Sequence, residues 1–138
     1  MEIVVDASVA AAWFLPDEHN DAADQVMAGL QGSPARAPSL FWFEVRSLFV
    51  MAEKRGRLKP GEAALSMAQL RSLPIVDAGS GNDWQVIALA HRHGLSWYDA
   101  SYLAVAIQEQ LPLATLDNKL STAAHTENLV VLGMADRP

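Results

Sequence analysis

The sequence predicts an α/β fold in which helices cover a mostly parallel central sheet. Short apolar runs with the length of buried strands recur along the chain, beginning with the β-branched run Ile3–Val5. Longer segments with the apolar spacing of helices separate these runs. Strands that alternate with helices in this way are typical of parallel sheets. The chain has 138 residues, no repeat and no interdomain linker, so residues 1–138 are predicted to form a single domain.

Five strands and seven helices follow from these patterns. The strands are predicted at Ile3–Val5, Ala35–Ala37, Ile75–Val76, Leu113–Leu116 and Leu129–Leu132. The helices are predicted at Ala7–Leu15, Asp21–Leu30, Ser39–Arg55, Pro60–Leu73, Asn82–His93 and Asn118–His125, with a further one that begins at Asp99. The first helix stops before Pro16, and Asn20 is placed to cap the second. Pro60 suits the first position of the fourth helix, while Gly56 and Gly94 end the third and the fifth.

Composition limits the class of protein. Hydrophobic residues make up 51% of the chain, yet no run approaches the roughly 20 apolar residues of a membrane span. The first residues lack the basic start and apolar region of a secretory signal, so a cytoplasmic location without a membrane partner is expected. The absence of cysteine excludes disulfides and thiolate metal sites. A net charge of −6 argues against non-specific coating of nucleic acid, but a bound cation can still recruit nucleic acid as a substrate.

Three aspartates mark breaks between the predicted elements. Asp6 and Asp117 follow apolar strands, and Asp99 stands where a buried helix begins. Each is suited to cap the helix that comes after it. The carboxyl ends of parallel strands are also the edge at which α/β proteins bind ligands. Because capping and metal ligation are compatible, the sequence predicts a metal site here without excluding the caps.

Glu44 is a charged residue on an apolar helix face. At 100° per residue it lies between Leu48 and Met51. A carboxylate with apolar neighbours is expected to be paired, protonated or bound to a ligand. The ordinary alternative to a functional role is a salt bridge at the rim of the core, to Arg36 or Arg46.

Four short motifs occur in a fixed order along the chain. They are Val5-Asp6-Ala7-Ser8, Glu44-Val45-Arg46-Ser47-Leu48, Tyr98-Asp99-Ala100-Ser101-Tyr102-Leu103-Ala104 and Thr115-Leu116-Asp117-Asn118-Lys119-Leu120. In this order the set resembles the PIN-domain ribonucleases, and within them the VapC-type toxins of bacterial toxin–antitoxin pairs. The resemblance covers nearly the whole chain, to about Gly133.

The resemblance implies a PIN-like three-layer α/β/α fold and an endoribonuclease that cuts RNA with Mg²⁺ or Mn²⁺. The family's acidic positions, implied to be catalytic and metal-binding, fall on Asp6, Glu44, Asp99 and Asp117. Its small hydroxyl positions fall on Ser8 and Thr115. Many relatives carry another acid after the fourth aspartate, where this chain has Asn118, so weaker metal binding is expected on that side. The resemblance also implies a cognate antitoxin that occupies or blocks the acidic site.

Phosphodiester hydrolysis explains why such a site contains carboxylates. The reaction requires charge stabilisation on the phosphoryl oxygens and a water delivered in line, and Mg²⁺ or Mn²⁺ provides both. These hard cations take oxygen ligands. We expect Asp6 and Asp99 nearest the metal, because one ends a strand and the other opens the adjoining helix. Glu44 and Asp117 are then expected to act through water.

Two other interpretations stay open at this point. A receiver-like signalling domain also places acids at strand ends, and its phospho-acceptor would be Asp77 with Lys119 as a poor match for its lysine. It would require an acidic pair where this chain has Asp6-Ala7. The second alternative is a PIN-like module that binds a partner or RNA without catalysis.

The helix predicted at Ser39–Arg55 is apolar on more than one side. One stripe contains Phe41, Val45, Leu48 and Ala52, while Phe43 and Val50 lie nearly opposite. A helix that is apolar all round is usually covered on both faces. The sequence therefore predicts a homodimer, or an antitoxin groove, on the side of Phe43 and Val50.

Overall fold

A computed structural model of the protein describes residues 1–133. Its strands form one five-stranded sheet in the order β3-β2-β1-β4-β5, and every neighbouring pair is parallel. The strands are β1 (Ile3–Val5), β2 (Ala35–Ala37), β3 (Ile75–Asp77), β4 (Leu113–Ala114) and β5 (Val131–Leu132). The mostly parallel sheet that the sequence predicts is therefore confirmed. The last five residues of the predicted single domain lie outside the described residues.

Seven helices in residues 1–133 connect the strands and complete a three-layer α/β/α fold. They are α1 (Ala7–Phe14), α2 (Asp21–Gly29), α3 (Leu40–Lys54), α4 (Glu62–Arg71), α5 (Asp83–His93), α6 (Trp97–Glu109) and α7 (Asn118–Thr126). A short 3-10 turn, Pro16–Glu18, follows α1. No helix in residues 1–133 has both the length and the apolar character needed to cross a membrane.

The core is centred on β1 and α6. Val4 and Val5 are completely buried because a central parallel strand is covered on both faces. Residues 100–106 of α6 are buried without interruption, and this helix packs against β1, α5 and α7. A helix buried on all sides cannot show a polar face, which explains why its sequence is almost continuously apolar.

Several element bounds differ from the prediction by one to three residues, and three of them have a visible cause. α6 begins at Trp97 and not at Asp99, because Ser96 caps it with its side chain. α4 begins at Glu62, since Gly61 takes the capping position with a φ of 89° that favours glycine. β4 ends at Ala114 because the N–H of Leu116 donates to the hydroxyl of Ser8 and not to a neighbouring strand.

The buried stripe of α3 also differs by one residue. Phe41, Val45 and Ala52 are buried as predicted, but Phe49 takes the place assigned to Leu48. The Phe49 ring packs edge-on against Phe14, with 5.6 Å between the ring centroids. Leu48 is exposed, so the prediction of Leu48 as part of the covered stripe is wrong.

Candidate active site

The carboxyl ends of the two central strands place Asp6 and Asp117 at the same edge of the sheet. β1 and β4 are neighbours, and the N–H of Asp6 donates to the carbonyl of Ala114 at 3.2 Å. Both aspartates cap the next helix. Asp6 Oδ1 accepts from the N–H of Val9 at 3.2 Å, and Asp117 Oδ2 accepts from the N–H of Leu120 at 2.9 Å. Their roles as caps are therefore confirmed.

Two hydroxyl groups hold Asp6 and cross-link the strand ends. Ser8 Oγ donates to Asp6 Oδ1 at 2.6 Å, and Thr115 Oγ1 donates to Asp6 Oδ2. The same oxygens accept hydrogen bonds from the chain after β4: Ser8 Oγ from the N–H of Leu116 at 2.9 Å, and Thr115 Oγ1 from the N–H of Asp117 at 3.0 Å. The buried carboxylate of Asp6 is thus fixed by donors from α1 and from the residue that follows β4.

Glu44 extends from α3 toward α6. Its Oε1 accepts a hydrogen bond from the hydroxyl of Tyr102 at 2.6 Å. The alternative of a salt bridge at the rim is wrong: Arg36 lies 3.4 Å from Glu2, and the guanidinium of Arg46 lies over the ring of Phe43. Within residues 1–133, Glu44 makes no ion pair.

Asp99 lies in the first turn of α6 and is not its cap. Ser96 Oγ accepts from the N–H of Asp99 at 3.2 Å and performs the capping instead. The prediction of an Asp99 cap is therefore wrong. Since no backbone group of this helix end uses the Asp99 carboxylate as its cap, the half-buried side chain can line a cavity.

One cavity of about 310 Å³ is lined by all four predicted acids. Ser8, Leu48 and Tyr102 also contribute to its wall. A fifth carboxylate, Glu18, lies at the same cavity and was not predicted. It is paired with Arg57, which also contacts Asp17 at 2.8 Å and 2.9 Å.

Comparison with known proteins decides the family. The sequence model of the PIN domain matches residues 3–126. The chain belongs to the PIN-domain family. Ribonuclease VapC3 from Pyrobaculum aerophilum is 30% identical to it over 125 residues, which cover 88% of this chain and 93% of VapC3. The resemblance to VapC-type PIN domains is therefore confirmed.

Solved structures agree with this PIN-domain fold. PAE2754 from Pyrobaculum aerophilum is 24% identical, has a TM-score of 0.72, and is matched over 95% of this chain and 83% of its own. A toxin–antitoxin complex from Klebsiella pneumoniae contains a chain that is 22% identical with a TM-score of 0.55, matched over 85% of this chain and 88% of its own. The receiver-like interpretation is wrong, and Asp77 lies on edge strand β3, where it accepts from Ser39 Oγ.

The PIN-domain cavity disfavours the charged forms of its acids. Burial raises the pKa of Asp6 to about 6, against the lowering effect of its hydroxyl and N–H donors. Burial also raises the pKa of Glu44, and the charge of Asp99 adds to this effect. The pKa of Asp99 is raised by burial and by the charge of Asp117. Each of these shifts is one that a bound cation would oppose.

The carboxylate ligands of this PIN-domain cavity fit a hydrated divalent cation. The four acids offer only oxygen ligands, which Mg²⁺ and Mn²⁺ prefer. In the described part of the chain, one set of three residues brings its histidine and carboxylate ligand atoms within 4.8 Å of one another. This set is His19, Asp21 and Asp24, all of them exposed. No three of the cavity acids meet this spacing, so a cation held there would keep several of its waters, as Mg²⁺ does when a few carboxylates hold it.

The parts of the site that the sequence did not predict depend on distant contacts. Arg57 belongs to a basic run with no local sign of a partner, and it reaches Glu18 across 39 residues. Tyr102 reads as a core residue of α6, yet its hydroxyl is the donor to Glu44. The sequence did contain a signal for this contact, namely a tyrosine in an otherwise apolar run. A buried tyrosine hydroxyl usually has a hydrogen-bond partner.

Proposed function

We propose that this PIN domain is a metal-dependent endoribonuclease that hydrolyses RNA phosphodiester bonds as the toxin of a toxin–antitoxin pair. The carrying observation is that Asp6, Glu44, Asp99 and Asp117, from four separate parts of the chain, line one cavity. The name of VapC3 as a ribonuclease supports the reaction class. We propose residues 1–138 as a single catalytic unit in the cytoplasm.

The proposed roles follow from the place of each acid in the fold, since Asp6 ends β1 and Asp99 lies in the first turn of α6, and from the hydrogen bonds that Glu44 and Asp117 already make. Bound Mg²⁺ or Mn²⁺ would supply Lewis-acid stabilisation of charge on the phosphoryl oxygens. Asp6 and Asp99 are the proposed direct ligands. Glu44 is held at Oε1 by Tyr102, which leaves Oε2 to accept a hydrogen bond from the attacking water and orient it. Asp117, held at Oδ2 by the N–H of Leu120, orients water with its other oxygen.

Metal dependence is the direct test of this function. The purified protein is expected to cleave one or more RNAs in a preparation of total cellular RNA when Mg²⁺ or Mn²⁺ is present, and sequencing maps the cleaved ends. Cleavage is expected to stop in excess chelator. Undiminished cleavage in chelator would contradict the metal mechanism. RNA binding without cleavage in either metal would favour the catalytically idle module.

An antitoxin protein is the second proposed partner. The toxin–antitoxin complex from Klebsiella pneumoniae, whose fold this chain shares, supports this kind of assembly. We propose that the antitoxin supplies a segment that occupies or blocks the acidic cavity. A cationic segment suits it, because the cavity gathers five carboxylates, including Glu18.

Homodimerisation is proposed for the outer face of α3. Phe43 is 64% exposed there, and Val50 lines a groove between α3 and α4 together with Met67. Replacing Phe43 with glutamate is expected to shift a dimer to a monomer, because burying an unpaired carboxylate in an apolar contact is costly. Light scattering over a range of concentrations measures the change. Val130→Glu is the matched control, since Val130 is 61% exposed but lines a different groove, with Met1 and Ile107. A protein that is monomeric at high concentration, with or without Phe43→Glu, would count against the dimer.

A further inference from the structure

Two aromatic side chains at the start of α6 are exposed to solvent. Trp97 is 55% exposed and Tyr98 is 45% exposed, although the helix that follows them is buried over residues 100–106. Their rings contact each other, with 4.0 Å between centroids and 35° between planes. Leaving two large aromatic side chains in water forgoes the hydrophobic free energy that their burial would provide. The pair therefore requires an explanation outside the core.

The aromatic pair lies at the rim of the acidic cavity. Successive residues on a helix are rotated by 100°, so Tyr98 lies one turn before Tyr102 and within about 40° of its direction. Asp99 is the next residue along the chain. Both Tyr102 and Asp99 line the cavity. Tyr98 therefore lies on the same side of α6 as Tyr102, one turn nearer the start of the helix, and Trp97 contacts its ring.

A cation lies close to this rim. Lys119, in the first turn of α7, is exposed, and its Nζ would be 3.8 Å from a Cβ added at Gly94, in the segment that leads into α6. Among the residues that the structure describes, Lys119 has no carboxylate within ion-pair distance. Its charge acts on Asp99, whose pKa it lowers, so the ammonium lies close enough to the cavity to meet an anion that approaches along the aromatic pair.

The charge of the protein restricts how RNA can bind here. Most nucleic-acid-binding proteins gain affinity from many phosphate contacts on a basic surface. This chain carries a net charge of −6, so one lysine at the rim cannot provide such a surface. Stacking of bases on aromatic rings provides affinity without a high positive charge. Base faces are accessible only where RNA is unpaired, because a double helix stacks them on one another.

We propose that Trp97 and Tyr98 form a stacking platform for an unpaired base beside the cleaved phosphodiester, and that Lys119 binds a neighbouring phosphate. The substrate is then RNA that is single-stranded or looped at the point of cleavage. This inference rests on the proposed nuclease function, because it assigns the rim of the same cavity to the substrate.

Binding to a labelled RNA tests the platform separately from catalysis. The probe is a fluorescein-labelled decauridylate, measured by fluorescence anisotropy with the full chain in excess chelator at fixed low salt, and checked on a gel for intact RNA. Trp97→Ala and Tyr98→Ala are each expected to weaken binding by about 5- to 100-fold. Trp97→Phe, which keeps a stacking face, is expected to retain most of the affinity. Trp84→Ala is the matched control, because Trp84 is 88% exposed but lies at the start of α5, where neither of its chain neighbours lines the cavity.

The role of Lys119 has its own readout. Lys119→Gln is expected to lower the slope of log affinity against log salt concentration by about 0.7 to 1, the contribution of one phosphate contact to a single strand. A duplex RNA of the same length is expected to bind more weakly than decauridylate to the wild type, with little further loss in Trp97→Ala.

Three results would overturn the platform. The first is that the wild type does not bind decauridylate detectably, or that Trp97→Ala and Tyr98→Ala both bind it as tightly as the wild type does. The second is equal loss of affinity in Trp84→Ala. The third is a change from dimer to monomer in light scattering with unchanged RNA affinity, which would make the pair a subunit contact. Failure of the nuclease function shows differently, as a wild type that cleaves no RNA in Mg²⁺ or Mn²⁺ or cleaves it in chelator.

Discussion

Replacing Asp99 with asparagine is expected to abolish RNA cleavage and, at the same time, to stabilise the metal-free protein. Asp99 lines the cavity, and its pKa is raised by burial and by the charge of Asp117. Removing one of several like charges relieves repulsion, by on the order of 1 kcal/mol with solvent screening. Removing a metal ligand costs charge stabilisation in the transition state, so cleavage is expected to fall by about 100-fold or more.

Melting temperatures measure the expected gain in metal-free stability, and cleavage rates measure the expected loss of activity. Wild type and Asp99→Asn are compared in chelator and in Mg²⁺, and the metal is expected to stabilise only the wild type strongly, because that stabilisation is binding to the native state. Glu109→Gln is the matched control, since Glu109 is an exposed acid at the other end of α6. An Asp99→Asn protein that melts lower in chelator, and that gains as much from metal as the wild type, would place Asp99 outside the metal site.

Titration of Asp6 is expected to cost the metal-free protein about 2 kcal/mol of stability as pH rises from 4 to 7. The pKa of Asp6 is raised from 3.8 to about 6, chiefly by burial. A raised pKa in the folded state means that the folded protein binds the proton more tightly than the unfolded chain does. The stability from this proton is fully present below the unfolded pKa and is lost as pH rises through about 6. The raised pKa values of Glu44 and Asp99 act in the same direction.

Urea denaturation at pH 4, 5, 6 and 7 in excess chelator measures this loss. Asp6→Asn is expected to flatten the dependence, because the substituted residue does not titrate. Asp17 and Glu127 act with the opposite sign, since hydrogen bonds from Arg57 and Arg92 respectively lower their pKa values. Both remain in the variant, so the difference between the two curves isolates Asp6. An Asp6→Asn variant whose stability changes with pH as much as that of the wild type would contradict the assignment.

The sequence located the strand-end acids because the signal for them is local. Asp6 and Asp117 each follow a short apolar run, and parallel strands place their carboxyl ends at one edge. Glu44 was conspicuous for a similar reason, as a charge among apolar neighbours on one helix face. In each case the pattern lies within a few residues of the acid itself.

The remaining features depend on contacts that no local pattern contains. The hydroxyl of Tyr102 reaches Glu44 across 58 residues, and Thr115 reaches Asp6 across 109. Asp99 looked like a cap because aspartate suits that position, but Ser96 is three residues earlier and suits it as well. Leu48 was placed in the apolar stripe of α3 by its spacing, yet Phe49 takes that place and packs against Phe14.

The pairing of β1 with β4 also determines when the protein acquires its cavity during synthesis. Val5 cannot pair until its strand partner Ala114 has been synthesised, and Asp6 cannot accept its hydrogen bond until Thr115 has been synthesised. Such long-range contacts form late, since a long loop must close before they contribute. A nascent chain on the ribosome therefore carries Asp6 and Glu44 for most of its translation without the wall that makes them a site. We expect an unfinished chain to be inert toward RNA, including the ribosomal RNA that surrounds it while it is being made.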